Sequence, residues 1–250
     1  MNKFYKYFFY LEIIIIIFFY FKGKKIELDK KKSIEKRKSY DLNNNEYLNK
    51  LFNNEKLLNI SKKRQNNIDK VLNEIKNINS NSIYSKIYIL NNLISKELCL
   101  WIIYESEKYS KEIHWSRERH KEYPTIDNNI NNIKSINNYL YNITYLNIIP
   151  FIEKKYNLNI NSLGIHEIFI VKYNLNGQIK LEEHVDGCQF SFIIPLNNDF
   201  TGGGTKFKYI ETKIITDPGN VIIFCGKHKH KGIEIKSGER YIIAGFLNYK

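Results

Sequence analysis

The sequence predicts a mainly β domain, a jelly roll with helices on its outside, preceded by a hydrophobic N-terminal segment and a polar linker. Three observations support this prediction. The chain has 250 residues, 43% of them hydrophobic, which suits one buried core better than two full domains. Beyond Asn157 the apolar residues fall in short runs separated by turn sequences, and two longer helical patterns precede them. The first 21 residues are predominantly apolar and aromatic.

The N-terminal segment, residues 1–21, has the pattern of a secretory signal, because two lysines precede an apolar run over residues 8–21 that only Glu12 interrupts. The run is short for a membrane span, which takes about 20 residues. We expect a signal peptide, or a signal anchor that holds the chain to a membrane through residues 8–21. Either one predicts a location in the endoplasmic reticulum or the secretory pathway. The alternative is a helix packed on the folded domain.

Residues 22–80 are rich in Lys and Asn and predict a linker with two weak amphipathic stretches, around 47–60 and 68–78, the second with apolar residues at helical spacing. The first 80 residues hold 18 basic and 9 acidic side chains, and therefore most of the net charge of +13. A basic face on the folded domain, residues 81–250, is poorly supported, and we expect no nucleic-acid partner.

Two helices are predicted at the start of the folded domain. Ser95 can cap the first helix, which extends to about Tyr109. The second helix covers roughly Ser135–Tyr156, and Pro150 interrupts its last turns. Their predicted core residues are Leu98, Leu100, Trp101, Ile102, Ile103, Ile136, Leu140, Ile143, Leu146 and Ile149.

The rest of the chain predicts strands. Turn sequences separate them, such as Asn176–Gly177 and the run from Asp217 to Asn220. The expected strands are Ile87–Leu90, Ile165–Tyr173, Ile179–His184, Cys188–Leu196, Thr205–Tyr209, Thr212–Ile215, Val221–Cys225, Gly232–Ile235 and Arg240–Asn248. This number of short strands favours a jelly roll.

His184 and Asp186 are two residues apart and would face the same side of a strand. With a histidine from a distant strand they would form the two-histidine, one-carboxylate set that binds Fe(II) with open positions. The pair alone is weak evidence, since surface polar residues have the same spacing by chance. His230 lies ten residues before Arg240. If a hairpin joins their strands, Arg240 can point into the same barrel and pair with a carboxylate; the alternative is an exposed arginine.

The stretch from Phe169 to Phe246 resembles the 2-oxoglutarate and Fe(II)-dependent oxygenases, specifically the prolyl and lysyl hydroxylase branch. Within that branch it looks most like the procollagen lysyl hydroxylase catalytic domain. The resemblance covers about 80 residues closely and extends weakly to YPTID at 123–127. The segments that carry it are FIVKYN (169–174), LEEHVDG (181–187), FSFIIPLN (190–197), FTGGGTKF (200–207), PGNVIIFCG (218–226) and HKGIEIKSGERYI (230–242).

The resemblance implies a role for each matched residue. His184, Asp186 and His230 match the iron ligands, and His230 is preferred to His228 because it has the family's spacing to Arg240. Arg240 matches the residue that pairs with the distal carboxylate of 2-oxoglutarate. Tyr173 matches a tyrosine that often hydrogen-bonds the same cosubstrate.

What the resemblance implies about function is an Fe(II)- and 2-oxoglutarate-dependent dioxygenase. Such an enzyme would use O2, with ascorbate as reductant, to hydroxylate a prolyl or lysyl side chain of a protein or peptide, releasing succinate and CO2. Two other hypotheses stay open. One is a catalytically inactive jelly-roll binding module. The other is a membrane-tethered interaction protein that acts through its basic tail.

Two further groups of residues have open roles. A loop before residue 123 carries the side chains His114, Trp115, Arg117, Arg119 and His120. It would either recognise substrate or form a solvated basic loop, and Asp127 beside it would hydrogen-bond locally. Three cysteines are expected to be buried free thiols: Cys99, Cys188 and Cys225.

Overall fold

The computed structural model describes residues 64–74, 85–120 and 122–250. The predicted N-terminal segment, 1–21, lies outside the described residues, so its role stays a prediction, as does the division of the chain into segment, linker and catalytic domain. Within the described ranges, no helix has both the length and the apolar character needed to cross a membrane.

Four α-helices lie in the described ranges: α1 (64–74), α2 (Lys96–Ile113), α3 (Lys134–Ile143) and α4 (Ile149–Lys155). Helix α1 packs on the folded domain, since Ile68 and Val71 are buried. Ser95 caps α2 as predicted, because its hydroxyl oxygen accepts a hydrogen bond of 3.3 Å from the Leu98 amide.

The predicted second helix is divided in two, because a π-helical turn at Thr144–Ile148 separates α3 from α4. Pro150 does not interrupt a last turn; it lies in the first turn of α4, where a proline needs no amide partner. The wider π-helical turn changes which side chains after α3 point towards the core. Leu146 is therefore 61% exposed, contrary to prediction, while Ile148 is buried in the core.

Eleven strands are described, and they form antiparallel sheets. A six-stranded sheet has the order β1–β8–β5–β11–β3–β2, a three-stranded sheet has the order β4–β9–β7, and β10 pairs with β6. The strands are β1 (Tyr88–Leu90), β2 (Asp127–Asn129), β3 (Leu163–Tyr173), β4 (Leu181–His184), β5 (Phe190–Pro195), β6 (Thr201–Gly202), β7 (Thr205–Phe207), β8 (Val221–Cys225), β9 (His230–Gly232), β10 (Ile235–Ser237) and β11 (Arg240–Tyr249). The mainly β prediction is confirmed.

Two strand predictions are wrong, and two short strands were not predicted. Thr212–Ile215 is not a strand, because only Ile214 forms a bridge, to Thr205. The predicted strand Gly232–Ile235 is divided, because Gly232 ends β9 and Ile235 begins β10, and these two strands pair with different sheets. The short strands β2 and β6 were not expected from the sequence, since each holds few apolar residues.

The six-stranded sheet is covered on both faces, and this explains why its central strands are almost continuously apolar. Alternate residues of β3 and β11 face the helices, where Ile170 and Ile243 belong to a core shared with Ile102 and Leu140. We call this side the helix face. The other residues, such as Val171, face the smaller sheets and enclose a cavity. We call this side the cavity face.

Candidate active site

A cavity of about 550 Å³ lies between the six-stranded and three-stranded sheets. The five residues singled out from the sequence all line it: Tyr173, His184, Asp186, His230 and Arg240. They come from β3, β4, the segment after β4, β9 and β11. The barrel therefore brings together side chains that are far apart in the sequence.

His184, Asp186 and His230 form the cluster of possible metal donors that the sequence predicted, with one donor atom from each within 4.8 Å of the others. Strands β4 and β9 are paired, and His184 lies opposite His230. Asp186 Oδ1 lies 3.4 Å from His184 Nε2, and Asp186 Oδ2 lies 3.8 Å from His230 Nε2. This donor set fits the facial arrangement that suits Fe(II).

The expectation that His184 and Asp186 share a strand is wrong, because β4 ends at His184. The Asp186 amide instead donates a hydrogen bond of 2.9 Å to the carbonyl of Gly226, just after β8. This backbone contact holds the carboxylate beside the two imidazoles.

Both imidazoles are oriented by the backbone. Nδ1 of His184 donates to the carbonyl of Glu182 at 2.8 Å, and Nδ1 of His230 donates to the carbonyl of His228 at 2.9 Å. The Nε2 atoms are thereby left free to face Asp186 and to bind a metal. The side chain of His228 lies outside the cluster, with its ring 5.0 Å from that of Tyr209.

The charges of the cluster suit a cation. Burial opposes ionisation of Asp186, but hydrogen bonds from His184 and Ser191, together with His230, lower its pKa. Burial lowers the pKa of His230, which keeps that imidazole neutral and able to act as a ligand. The pKa of His184 is raised, because its bonds to Asp186 and Glu182 outweigh the effect of burial.

Arg240 and Tyr173 lie at another part of the cavity wall. They are opposite each other on β11 and β3, and the Arg240 guanidinium carbon is 5.0 Å from the centre of the Tyr173 ring. Both are buried, at 4% and 2% exposure, which contradicts the alternative of an exposed arginine. Burial lowers the pKa of Arg240 and raises that of Tyr173, but an arginine stays charged across the physiological range.

No hairpin joins the strands of His230 and Arg240, contrary to the condition set from the sequence. Strand β9 belongs to the three-stranded sheet and β11 to the six-stranded sheet. The two side chains still line one cavity because the sheets face each other. Among the described residues, Nη1 of Arg240 is buried without a hydrogen-bond partner. Such an atom fits the carboxylate of a bound 2-oxoglutarate.

In the loop before β2, some side chains lie on the cavity wall, where they could recognise substrate, and others are solvated. Arg119 forms ion pairs with Asp127 and Glu167, and both Arg119 and His120 lie against the Phe169 ring on the cavity wall. His114 and Arg117 are exposed. Asp127 is fully buried and accepts a hydrogen bond from Thr125, as expected of a local partner. Burial raises the pKa of Asp127 despite its neighbours Thr125 and Arg119.

Sequence reasoning missed the role of Ser191, to which it gave no function. The Ser191 hydroxyl donates to Asp186 Oδ2 at 2.5 Å. The signal was present, since Ser191 is the one hydroxyl in the apolar strand β5. The three cysteines are free, as predicted; Cys99 and Cys188 are buried and Cys225 is half-buried.

Comparisons with known proteins find relatives of this chain by sequence. No protein-family model matches the chain. A "Procollagen lysyl hydroxylase and glycosyltransferase" of Acanthamoeba polyphaga mimivirus is 31% identical over 134 residues, 50% of this chain and 14% of the relative. The human "Procollagen-lysine,2-oxoglutarate 5-dioxygenase 2" is 37% identical over 86 residues, 32% of this chain and 12% of the relative. The chain thus matches only a small part of these relatives, and the match supports the resemblance seen in the sequence.

Solved structures support the fold. The crystal structure of a Pseudomonas putida prolyl-4-hydroxylase has a TM-score of 0.51 and 14% identity, over 66% of this chain and 92% of that one. A non-heme alpha ketoglutarate dependent epimerase from nogalamycin biosynthesis has the same TM-score with 8% identity, over 65% and 78% of the two chains. At such low identity these likenesses concern the fold alone, and they confirm the predicted jelly roll.

Proposed function

Because this chain is related in sequence to procollagen lysyl hydroxylases and shares the jelly-roll fold of 2-oxoglutarate oxygenases, we propose that it is an Fe(II)- and 2-oxoglutarate-dependent dioxygenase. The observation that carries the proposal is one cavity that holds both a two-histidine, one-carboxylate cluster and a buried arginine with an unpartnered nitrogen. The first fits Fe(II) and the second fits a dicarboxylate.

In this proposal, different residues of the cavity bind the metal and the cosubstrate. His184, Asp186 and His230 would hold the iron, while Arg240 and Tyr173 would fix the distal carboxylate of 2-oxoglutarate. Apolar side chains such as Val171 and Ile242 line the rest of the cavity wall. When bound at these residues, Fe(II) and 2-oxoglutarate would supply the O2 chemistry for hydroxylation, with succinate and CO2 as the other products and ascorbate as the reductant of the iron.

The substrate in this proposal is a prolyl or lysyl side chain of a protein or peptide. The names of the related proteins support this class, since they refer to procollagen lysine. Mass spectrometry of proline- and lysine-containing peptides, incubated with the protein, Fe(II), 2-oxoglutarate and ascorbate, would detect the added oxygen atom. Peptides that stay unmodified while succinate forms would contradict the substrate class.

We further propose that residues 1–21 direct the protein to the secretory pathway, either as a cleaved signal or as an anchor through residues 8–21. The two lysines ahead of the apolar run support this proposal. A reporter fused after residue 30 should enter the endoplasmic reticulum. A reporter that stays in the cytosol would contradict the proposal.

The activity itself is tested by succinate formation from 2-oxoglutarate. His184→Ala, Asp186→Ala and His230→Ala should each abolish turnover, since each removes one of three proposed ligands. His228→Ala is the matched control, because its side chain lies outside the cluster and its backbone carbonyl remains. Loss of activity in His228→Ala with full activity in His230→Ala would overturn the assignment.

A further inference from the structure

Each of the three proposed metal ligands has one more hydrogen-bond partner, and these partners differ in kind. The two imidazoles donate to the backbone carbonyls of Glu182 and His228. The carboxylate of Asp186 instead accepts from a side chain, the hydroxyl of Ser191. Of the three partners, this is the one that a point substitution can remove.

The Ser191 hydroxyl is directed at Asp186 by its surroundings. Ser191 is 1% exposed on β5, between Phe190 and Phe192, and its hydroxyl lies within hydrogen-bond distance of two neighbouring side chains. Its oxygen lies 2.5 Å from Asp186 Oδ2 and 3.1 Å from the sulfur of Cys188. A carboxylate is a far stronger acceptor than a thiol, and the hydroxyl proton therefore points to Asp186.

This bond distinguishes the two carboxylate oxygens. Oδ2 is engaged by Ser191, while Oδ1 lies 3.4 Å from Nε2 of His184. A carboxylate anchored through one oxygen has a fixed plane and keeps the other oxygen available. Its rotation would otherwise be limited mainly by the two imidazoles.

We propose that Ser191 is a positioning residue of the metal centre, which holds the Asp186 carboxylate in the orientation that binds Fe(II). The inference rests on the proposed function, because it takes the cluster of His184, Asp186 and His230 to be the iron site. Substitution of groups that orient metal ligands typically weakens metal binding by about 10- to 100-fold.

The test measures Fe(II) affinity of the purified full chain in the absence of O2, by direct titration without substrate. Ser191→Ala should weaken binding by about tenfold or more. Ser191→Thr and Ser191→Val form a pair of nearly equal shape, of which only threonine keeps the hydroxyl. Threonine should retain most of the affinity and valine should lose it. Ser106→Ala is a control, because Ser106 is also fully buried but bonds a helix carbonyl away from the cavity.

Thermal unfolding of each variant in the presence of a chelator separates folding from metal binding. Weak binding by Ser191→Ala and Ser191→Val, with retention in Ser191→Thr, supports the inference. Wild-type affinity in Ser191→Ala, or equal weakening by threonine and valine, overturns it. If the unsubstituted protein binds no Fe(II), or binds it equally well after Asp186→Ala, the proposed function fails instead.

Discussion

The paired strands β3 and β11 carry one cation on each face of their ladder, of which Lys172 is half-buried and Arg240 is buried. Lys172 lies on the helix face, and its ammonium group is 2.9 Å from Glu107 and 3.0 Å from Glu239. Arg240 lies on the cavity face, and in the part of the chain that the structure describes it forms no ion pair. The charge of Lys172 is thus neutralised by carboxylates of the protein, whereas the charge of Arg240 is available to an anionic ligand.

This difference teaches how to tell a structural charge from a functional one. A buried charge without a partner is costly, so a fold that retains one has a ligand to satisfy it or sacrifices stability. Lys172 needs nothing beyond the fold, whereas Arg240 needs an anion. The helix face should therefore respond to substitution through stability, and the cavity face through binding.

The largest effect is expected on the helix face. Ile170 is fully buried among helix residues, so Ile170→Ala should lower the free energy of unfolding by about 2–5 kcal/mol through lost burial and a residual cavity. Urea unfolding measures this change. The binding of 2-oxoglutarate by the remaining folded protein should be unchanged. If Ile170→Ala kept the parent's free energy of unfolding but bound 2-oxoglutarate more weakly, the proposed difference between the two faces would be wrong.

The next effect is expected on the cavity face. Arg240→Ala should weaken 2-oxoglutarate binding by at least about tenfold, equivalent to 1.4 kcal/mol, because charge-assisted hydrogen bonds to the distal carboxylate are lost. Arg240→Lys should be intermediate, since an ammonium group lacks the bidentate geometry. Anaerobic titration of the Fe(II) protein, followed through the visible absorption band of its 2-oxoglutarate complex, measures the affinity.

Two controls sharpen this second prediction. Iron affinity should be nearly unchanged in Arg240→Ala, because the guanidinium is not one of the proposed metal ligands, and thermal unfolding without ligand shows whether the variant is folded. An unchanged 2-oxoglutarate midpoint would mean that another cation holds the cosubstrate. Lys180 and Lys206 are poorly placed for this, since Lys180 pairs with Glu182 and Lys206 contacts the carbonyls of Ile210 and Glu211.

The smallest effect concerns Lys172 and depends on pH. Burial lowers the pKa of Lys172, but Glu107 and Glu239 outweigh it and raise the pKa overall. A raised pKa contributes stability that is complete below the unfolded value, about 10.4, and that is lost as pH rises through the folded value. Lys172→Met should therefore be less stable than the parent by up to about 1 kcal/mol at pH 7.

That stability difference should shrink above about pH 10.4, where the parent protein loses the contribution of the ion pairs. Thermal unfolding of both proteins at neutral and alkaline pH measures the change, and their difference cancels the other titrating groups. A gap that stays constant with pH would show that Lys172 acts through its packing on Trp115 and Tyr241 rather than through its charge. Binding of 2-oxoglutarate should be unaffected at pH 7.

Local patterns predicted the central strands well. Strand β8 has the predicted bounds, and β3 and β11 differ by one or two residues, because continuous apolar runs between turn residues leave few alternatives. The convergence of His184, Asp186 and His230 was expected from the resemblance to the oxygenase family. The positions of these side chains could not be predicted from the sequence, because the backbone of Asp186 is held by a hydrogen bond to Gly226, forty residues further along the chain.

What the sequence did not predict depends on contacts between distant residues. The π-helical turn that exposes Leu146 adds a residue to one turn, and no turn residue marks it. The bond from Ser191 to Asp186 was not predicted, because alternation on a strand gives the face of a side chain and not its partner. The separation of β9 from β10 follows from their pairing with different sheets.

The use of main-chain carbonyls to orient both imidazoles has a consequence for how this protein can vary. Every amino acid supplies the same carbonyl, so the identities of the side chains at 182 and 228 are irrelevant to the tautomer of His184 and His230. Mutational drift at those two positions leaves the imidazoles in place as long as the strand path is kept. The orientation of the two imidazoles therefore depends mainly on the path of the backbone. Asp186 is the one of the three proposed ligands whose orientation depends on a neighbouring side chain.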